Sequence, residues 1–236
     1  MPSLTVACLA KNEATSYLPS ALAAWNQFAD TIVVLDDHST DDTAELCRSA
    51  GAFVVDWDGS AAWGQETPPR KALWEAAVQS GSDFIMVLDA DMVPAKDPKE
   101  LLIGGIDGVS FLLFDLWGED VYRSDHYWRG HTVPRLWLVR NPHHNRGHVW
   151  SGRHIHSGHF PQNLQLERIV GAPREYSLLH YAYSRADDRR NKKKQYLSQG
   201  KFLTLHEWMH ALSIETPDPD LLPLDVDVSW PLSKSL

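Results

Sequence analysis

Over the first hundred residues, four short apolar runs alternate with three stretches of helical periodicity. That alternation limits the possible folds more than any other feature of the chain. Residues 4–9, 31–35, 52–56 and 84–88 have the length and Val, Ile, Leu and Phe content of strands. The first gap carries Tyr17, Leu18, Ala21, Leu22 and Trp25 at helical spacing, with Pro19 compatible only as part of a first turn. In the second gap "STDDT" offers a cap and first-turn acids to a helix that stops at Gly51. In the third, Pro68-Pro69 open a helix through Lys71, Trp74, Ala77 and Val78, closed by Gly81. Strands joined by helical crossovers lie parallel, and a parallel sheet is covered on both faces. The expected class is α/β, with a central, mostly parallel sheet flanked by helices.

After Gly104-Gly105 the pattern changes. Residues 109–116 read as one long apolar strand, 134–139 as a shorter one and 177–181 as a late one. A charged helix ending near Gly200 follows, then a helix carrying Leu203, Leu205, Trp208, Met209 and Leu212. Between these elements lie aromatic, His-rich loops: eight of the twelve histidines fall between His126 and His159. The tail from Thr216 has four prolines and little periodicity, so it is expected to wrap the surface or be partly disordered.

Net charge is -9, which argues against a general nucleic-acid surface. The basic run at 189–194 reads first as a solvated helix face, with an anionic ligand or a peripheral membrane contact as the alternative. No stretch approaches the ~20 apolar residues of a membrane span. The N-terminus lacks a signal-peptide layout, so a cytoplasmic protein is expected. Cys8 and Cys47 read as small core residues.

In open parallel sheets, ligands bind where strands end at their carboxyl side. Asp36-Asp37 follow the second run and Asp89-Ala90-Asp91 the fourth. Turn and capping chemistry accounts for the first pair as well as function does. It does not account for the second, because the next helix, near Asp97, starts too late to use it. Adjacent carboxylates repel unless something positive sits with them, which points to a metal, a cationic group or a shared proton.

The motifs "LTVACLAKNEA", "IVVLDDHSTDDT", Arg70 in "PPRKALWEAA", and "FIMVLDADMVP" together resemble GT-A glycosyltransferases of the family 2 type. "PRLWLVR" and "LLHYAYSRADDRRNKKKQYL" resemble later segments of the small bacterial lipopolysaccharide-type members, so the resemblance runs over residues 4–200. It implies a GT-A fold and a metal-dependent, inverting transfer of a sugar, of hexosyl class, from a nucleoside-diphosphate donor to a glycan or other hydroxyl acceptor. The implied cofactor is Mn²⁺ or Mg²⁺, hard cations suited to carboxylate and water ligands. It implies one domain over 1–215, with a nucleotide-sugar-binding half at 1–104, an acceptor-side half at 105–215 and a tail at 216–236.

By resemblance Asp91 ligates the metal and Asp89 contacts the ribose or the metal's water. Asp37 accepts from the nucleobase, Arg70 lies near the diphosphate, and Leu9, Lys11 and Ala90 belong to the donor site. His180 occupies the place of a metal-binding histidine, though a satisfied core histidine is the ordinary case. Lys194 and Tyr196 are candidates for phosphate contact. Related members carry a His-Glu pair after the "RL" strand, where this chain has "SGRHIHSGHFP" and no Glu. His156 is the nearest substitute as catalytic base, then His154, with Asp125 and Asp115 as carboxylate alternatives. Trp117, Trp128, Trp137 and Trp150 suit sugar stacking and core packing equally.

Other readings fit less well. "HIHSGH" resembles a zinc-hydrolase motif, but Gly158 stands where that family has Asp. "VVLDDHS" resembles a receiver domain, but a whole strand–helix unit precedes it. Nucleotidyltransferases open on a Gly-rich loop, and "LAKNEA" has no glycine. A sugar-nucleotide-binding protein without catalysis is the non-enzymatic alternative.

Overall fold

The computed structural model describes residues 1–59, 66–152, 158–198 and 203–234. β1 (Leu4–Ala10), α1 (Leu18–Trp25), β2 (Thr31–Asp36), α2 (Thr43–Ser49), β3 (Phe53–Asp56), α3 (Thr67–Gln79) and β4 (Phe84–Val87) follow one another as the alternation requires. Prolines at the start of α1 and α3 occupy positions where a missing N–H costs no intrahelical bond. Gly51 and Gly81 follow α2 and α3 at φ 86° and 77°, a region that glycine enters without strain.

The second half supplies β5 (Met92–Pro94), β6 (Gly108–Phe111), β7 (Leu113–Asp115), β8 (Val121–Arg123), β9 (Arg135–Arg140), β10 (Ile169–Gly171) and β11 (Leu178–His180). After them come α4 (Ala186–Ser198), α5 (Leu205–Ser213) and β12 (Leu221–Pro223). Seven strands form the main sheet in the order β10-β6-β9-β4-β1-β2-β3. All neighbours in it are parallel except β9, which runs antiparallel between β4 and β6. This is the expected α/β class, a central, mostly parallel sheet flanked by helices.

Alternation along the strands decides which layer each side chain joins. Val6 and Cys8 of β1 enter the larger core with α1, whereas Ala7 turns to the opposite face and meets Leu73, Trp74 and Ala77 of α3. Because both faces are covered, the strands read as continuous apolar runs. Both cysteines are buried and free.

Residues 109–116 are not one strand. β6 stays in the main sheet, the chain bends at Leu112, and β7 joins a separate three-stranded sheet, β5-β11-β7. The ladder of β6 slips at Val109/Ser110, and the Leu112 carbonyl then accepts from Leu178 N–H at 2.9 Å. Gly130 passes so close to β7 that a Cβ there would lie 2.8 Å from the Leu113 carbonyl oxygen. The three-residue strands β5, β8 and β10 carry too little periodicity to be read from sequence.

The chain after α5 runs along the body. β12 pairs with β8, Ser229 N–H donates to the Ala95 carbonyl at 2.9 Å, and the Trp230 ring lies 5.2 Å from that of Phe28. Leu232 is buried and Lys234 pairs with Asp188 at the start of α4. The apolar residues of α5 face the other way: Leu205, Met209 and Leu212 are exposed, while Ala211 is buried. No helix among the described residues is long and apolar enough to cross a membrane.

Candidate active site

β4, β1 and β2 are neighbours in the sheet, so the segments leaving their carboxyl ends stand side by side. The ladder aligns Ala10 with Asp36, and it continues one residue further through Asp37 N–H to the Ala10 carbonyl at 2.8 Å. The loops after β1 and β2 brace each other. Asn12 Oδ1 accepts from Thr40 N–H at 2.7 Å, and Glu13 N–H donates to Thr43 Oγ1 at 2.7 Å. Asn12 and His38, at the two turns, adopt φ 54° and 57°, a left-handed conformation uncommon outside glycine that here is enforced by tertiary bonds.

The acids of "DDHSTDD" divide in role. Asp36 accepts from Ser39 N–H, and Asp41 accepts from Thr43 and Ala14, which is turn chemistry. Asp37 is buried and faces side chains instead, with Lys11 Nζ at 3.4 Å and His38 Nδ1 at 3.3 Å. Leu9 is half-buried near the end of β1, next to this pair.

Asp89 and Asp91 follow β4, with Ala90 buried between them. Burial works to raise the Asp89 carboxyl, but its interactions with His159, Arg70, His180 and Lys192 outweigh that and hold it below the ordinary range. Arg70 reaches this cluster from α3. Its Nε lies 3.4 Å from Glu66, and its NH1 donates to His159 Nδ1 at 3.0 Å.

The small sheet completes the site. β11 pairs antiparallel with β5 and parallel with β7, and those ladders set His180 opposite Met92 and Asp115. The next residue, Tyr181, donates its N–H to the Asp91 carbonyl at 2.9 Å. His180 Nδ1 lies 2.7 Å from Asp115 Oδ1, and Nε2 lies 3.5 Å from Asp91 Oδ1. At 3.5 Å the second contact is too long for a good hydrogen bond, and Asp91 Oδ1 is buried without a hydrogen-bond partner. Burial opposes charge on His180, yet Asp91 and then Asp115 raise its pKa overall. A carboxylate oxygen and a ring nitrogen facing each other in this way call for a cation between them, a proton or a metal.

The donor chemistry fits a hard divalent cation bound by two protein groups, with oxygens of a ligand or water completing its shell. Among the described residues no three His, Cys, Asp or Glu side chains are placed to hold a metal ion together. A closed structural metal site of protein ligands alone is therefore not formed by these residues.

Three residues of the cluster were not assigned from sequence. Glu13, in "AKNEA", is raised to about 7 by burial and by the charge of Asp91. Lys192 is raised by Asp91, Tyr196, Asp89 and Glu13 against the opposing effect of burial. His159 joins Arg70 beside Asp89. Lys192 was findable: Asp188, Lys192 and Tyr196 recur every fourth residue and share the inner face of α4, whereas Lys194 is exposed.

Of the base candidates, His154 and His156 lie outside the described residues. Asp125 is not brought into the cluster. It accepts from the buried Arg123 Nε at 2.5 Å and lines a separate cavity of about 340 Å³ with Arg129, His131 and Asp220. The tryptophans divide as well. Trp128 is core, packed on Trp117 and Tyr183, and Trp137 is buried against His159, while Trp150 is half-buried.

Comparison with solved structures finds glucosyl-3-phosphoglycerate synthase from Mycobacterium tuberculosis in several complexes. The complex with Mn²⁺ and UDP-glucose is 16% identical over 95% of this chain and 87% of that one, with a TM-score of 0.45. The complex with Mn²⁺ and UDP and phosphoglyceric acid is 18% identical over 86% and 80%, with a TM-score of 0.47. A third, with Mn²⁺, UDP-glucose and phosphoglyceric acid, is 26% identical over 48% of this chain, spans 44% of that one and has a TM-score of 0.35. The family described as Glycosyl transferase family 2 matches residues 5–210. That span takes in β1 through most of α5, with every strand end that bears a clustered acid, and the chain belongs to glycosyl transferase family 2.

Proposed function

We propose that this family 2 glycosyltransferase moves a hexosyl group from a nucleoside-diphosphate donor to a hydroxyl acceptor, with inversion and with a divalent cation at Asp91 and His180. The observation that carries the metal reading is the facing pair of Asp91 Oδ1, without a hydrogen-bond partner, and His180 Nε2. A bound Mn²⁺ or Mg²⁺ would act as a Lewis acid on the departing diphosphate.

The chain's own residues do the rest. Asp37 receives the nucleobase, with Lys11 and the backbone near Leu9 beside it. Asp89, kept ionised by its cationic neighbours, takes the ribose or a metal-bound water, and Ala90 leaves room next to it. Arg70 and Lys192 bring positive charge to the place where the leaving group becomes more negative. Inversion needs a base for the acceptor's proton, and His156 is assigned that role, with His154 next in line. The engagement of Asp125 with Arg123 speaks against a carboxylate from that loop.

The test is a thermal-shift panel of nucleoside diphosphates and their sugars with and without Mn²⁺, run on wild-type protein and Asp91→Asn. A ligand that binds only the native state raises its melting temperature. Wild type should show a shift that needs Mn²⁺, and Asp91→Asn should lose it and lose transfer while melting normally without ligand. Transfer that survives EDTA, or an active Asp91→Asn enzyme, would remove the metal from the reading.

A further inference from the structure

We infer that Asp115 is a positioning residue for His180, fixing which ring nitrogen is available to a cation, and that it is not the base of the transfer. The inference rests on the assignment of Asp91 and His180 as the cation pair. Asp115 and His180 are partners in the parallel ladder of β7 and β11, so backbone register alone brings the two side chains to one place. The 2.7 Å contact between Oδ1 and Nδ1 is sheltered, with the two side chains 14% and 10% exposed.

An ionised carboxylate only accepts hydrogen bonds, so Nδ1 is the donor. In the neutral ring that leaves the lone pair on Nε2, which faces Asp91 Oδ1. The Tyr183 ring stands edge-on to the imidazole, 5.3 Å between centroids at 86°, and restrains its rotation. Carboxylates that hold a ligating histidine in this way raise its basicity, and their loss typically weakens metal binding about 10–100-fold. The same contact commits one Asp115 oxygen to the imidazole, which makes it a poor candidate for collecting a proton from an acceptor.

A double-mutant cycle separates the two roles. Mn²⁺ is titrated, by the electron paramagnetic resonance of the free ion, into wild type, Asp115→Asn, His180→Ala and the double variant. Each sample holds the nucleoside diphosphate that gives the largest shift in the panel above. Asp115→Asn should weaken Mn²⁺ about 10–100-fold, and saturating Mn²⁺ should recover much of its turnover. The double variant should bind Mn²⁺ no worse than His180→Ala, because Asp115 acts through that ring. Wild-type Mn²⁺ affinity in Asp115→Asn, with a loss of turnover that Mn²⁺ does not restore, would overturn the inference and make Asp115 a base. Equal Mn²⁺ binding by wild type and His180→Ala would instead overturn the cation pair itself, and the positioning role with it. If Asp115→Asn melts abnormally without metal, Asp115→Glu keeps the acceptor and the charge and serves in the same cycle.

Discussion

Glu13 leaves the end of β1 and meets the charge of Asp91 in a site partly closed to water. Burial first, and Asp91 second, raise its carboxyl to about 7, and Ser16, Lys192 and Lys234 pull the other way without prevailing. Folding therefore favours the protonated form. The stability this carboxyl contributes is complete below its unfolded pKa, about 4.5, and is lost as pH rises through about 7. Glu13→Gln keeps the shape and removes the ionisation, so in EDTA its melting temperature should gain on wild type between pH 5 and pH 8. A constant difference across that range would mean that Glu13 is solvated. Asp37 offers a second test at this scale. A hydrogen bond to a charged group is worth about 1.5–3 kcal/mol, so Asp37→Ala should weaken the free nucleoside diphosphate roughly 10–100-fold. Calorimetry in saturating Mn²⁺ reads this directly, and unchanged affinity would reduce Asp37 to part of a turn.

Among the elements, α4 shows how a sequence feature can be placed correctly and aimed wrongly. The basic run reads from sequence first as a solvated face, and part of it is: Arg190 pairs with Asp187 on the exposed side, and Lys194 is exposed. A residue two positions earlier lies about 200° round the helix, and Lys192 therefore points at Asp89, Asp91 and Glu13. Lys192→Ala should lower donor affinity and turnover at least tenfold, whereas Lys194→Ala should change either by less than about twofold, a surface substitution being worth within ~0.5 kcal/mol. Equal effects of the two variants on donor titrations would defeat this orientation of α4. The small sheet makes a related point. β7 and β11 have three residues each, and their value lies in register, since a slip of one residue would turn His180 away from both Asp115 and Asp91.

For the whole molecule, the chain after α5 closes a circuit from β8 back to α1 and the start of α4. Ser20 Oγ donates to the Ser233 carbonyl at 2.8 Å and accepts from Ser233 N–H at 3.0 Å. Leu232 sits in the main core at 8% exposure. A buried Leu→Ala change costs about 2–5 kcal/mol, so Leu232→Ala should lower unfolding free energy by about 2–3 kcal/mol in a urea titration. A loss below ~0.5 kcal/mol would mean that this segment does not pack on the body in solution.

The order of strands and helices through β4 was decided locally, by a period of two or 3.6 residues and by Pro and Gly at element ends, and it was legible without coordinates. So were Asp37, Asp89 and Asp91 as acids at strand ends, because in a parallel sheet the carboxyl ends share one edge. What tertiary structure decided lies across long separations in the chain. The break at Leu112 follows from a bond to Leu178, the partnership of Asp115 with His180 spans 65 residues, and Arg70 meets His159 across 89. Local composition carries no signal for such contacts, since each residue alone is compatible with a turn, a core or a surface. The sequence thus determined which residue types stand at the strand ends. Only packing two sheets and α4 around them decided which of those charges face one another.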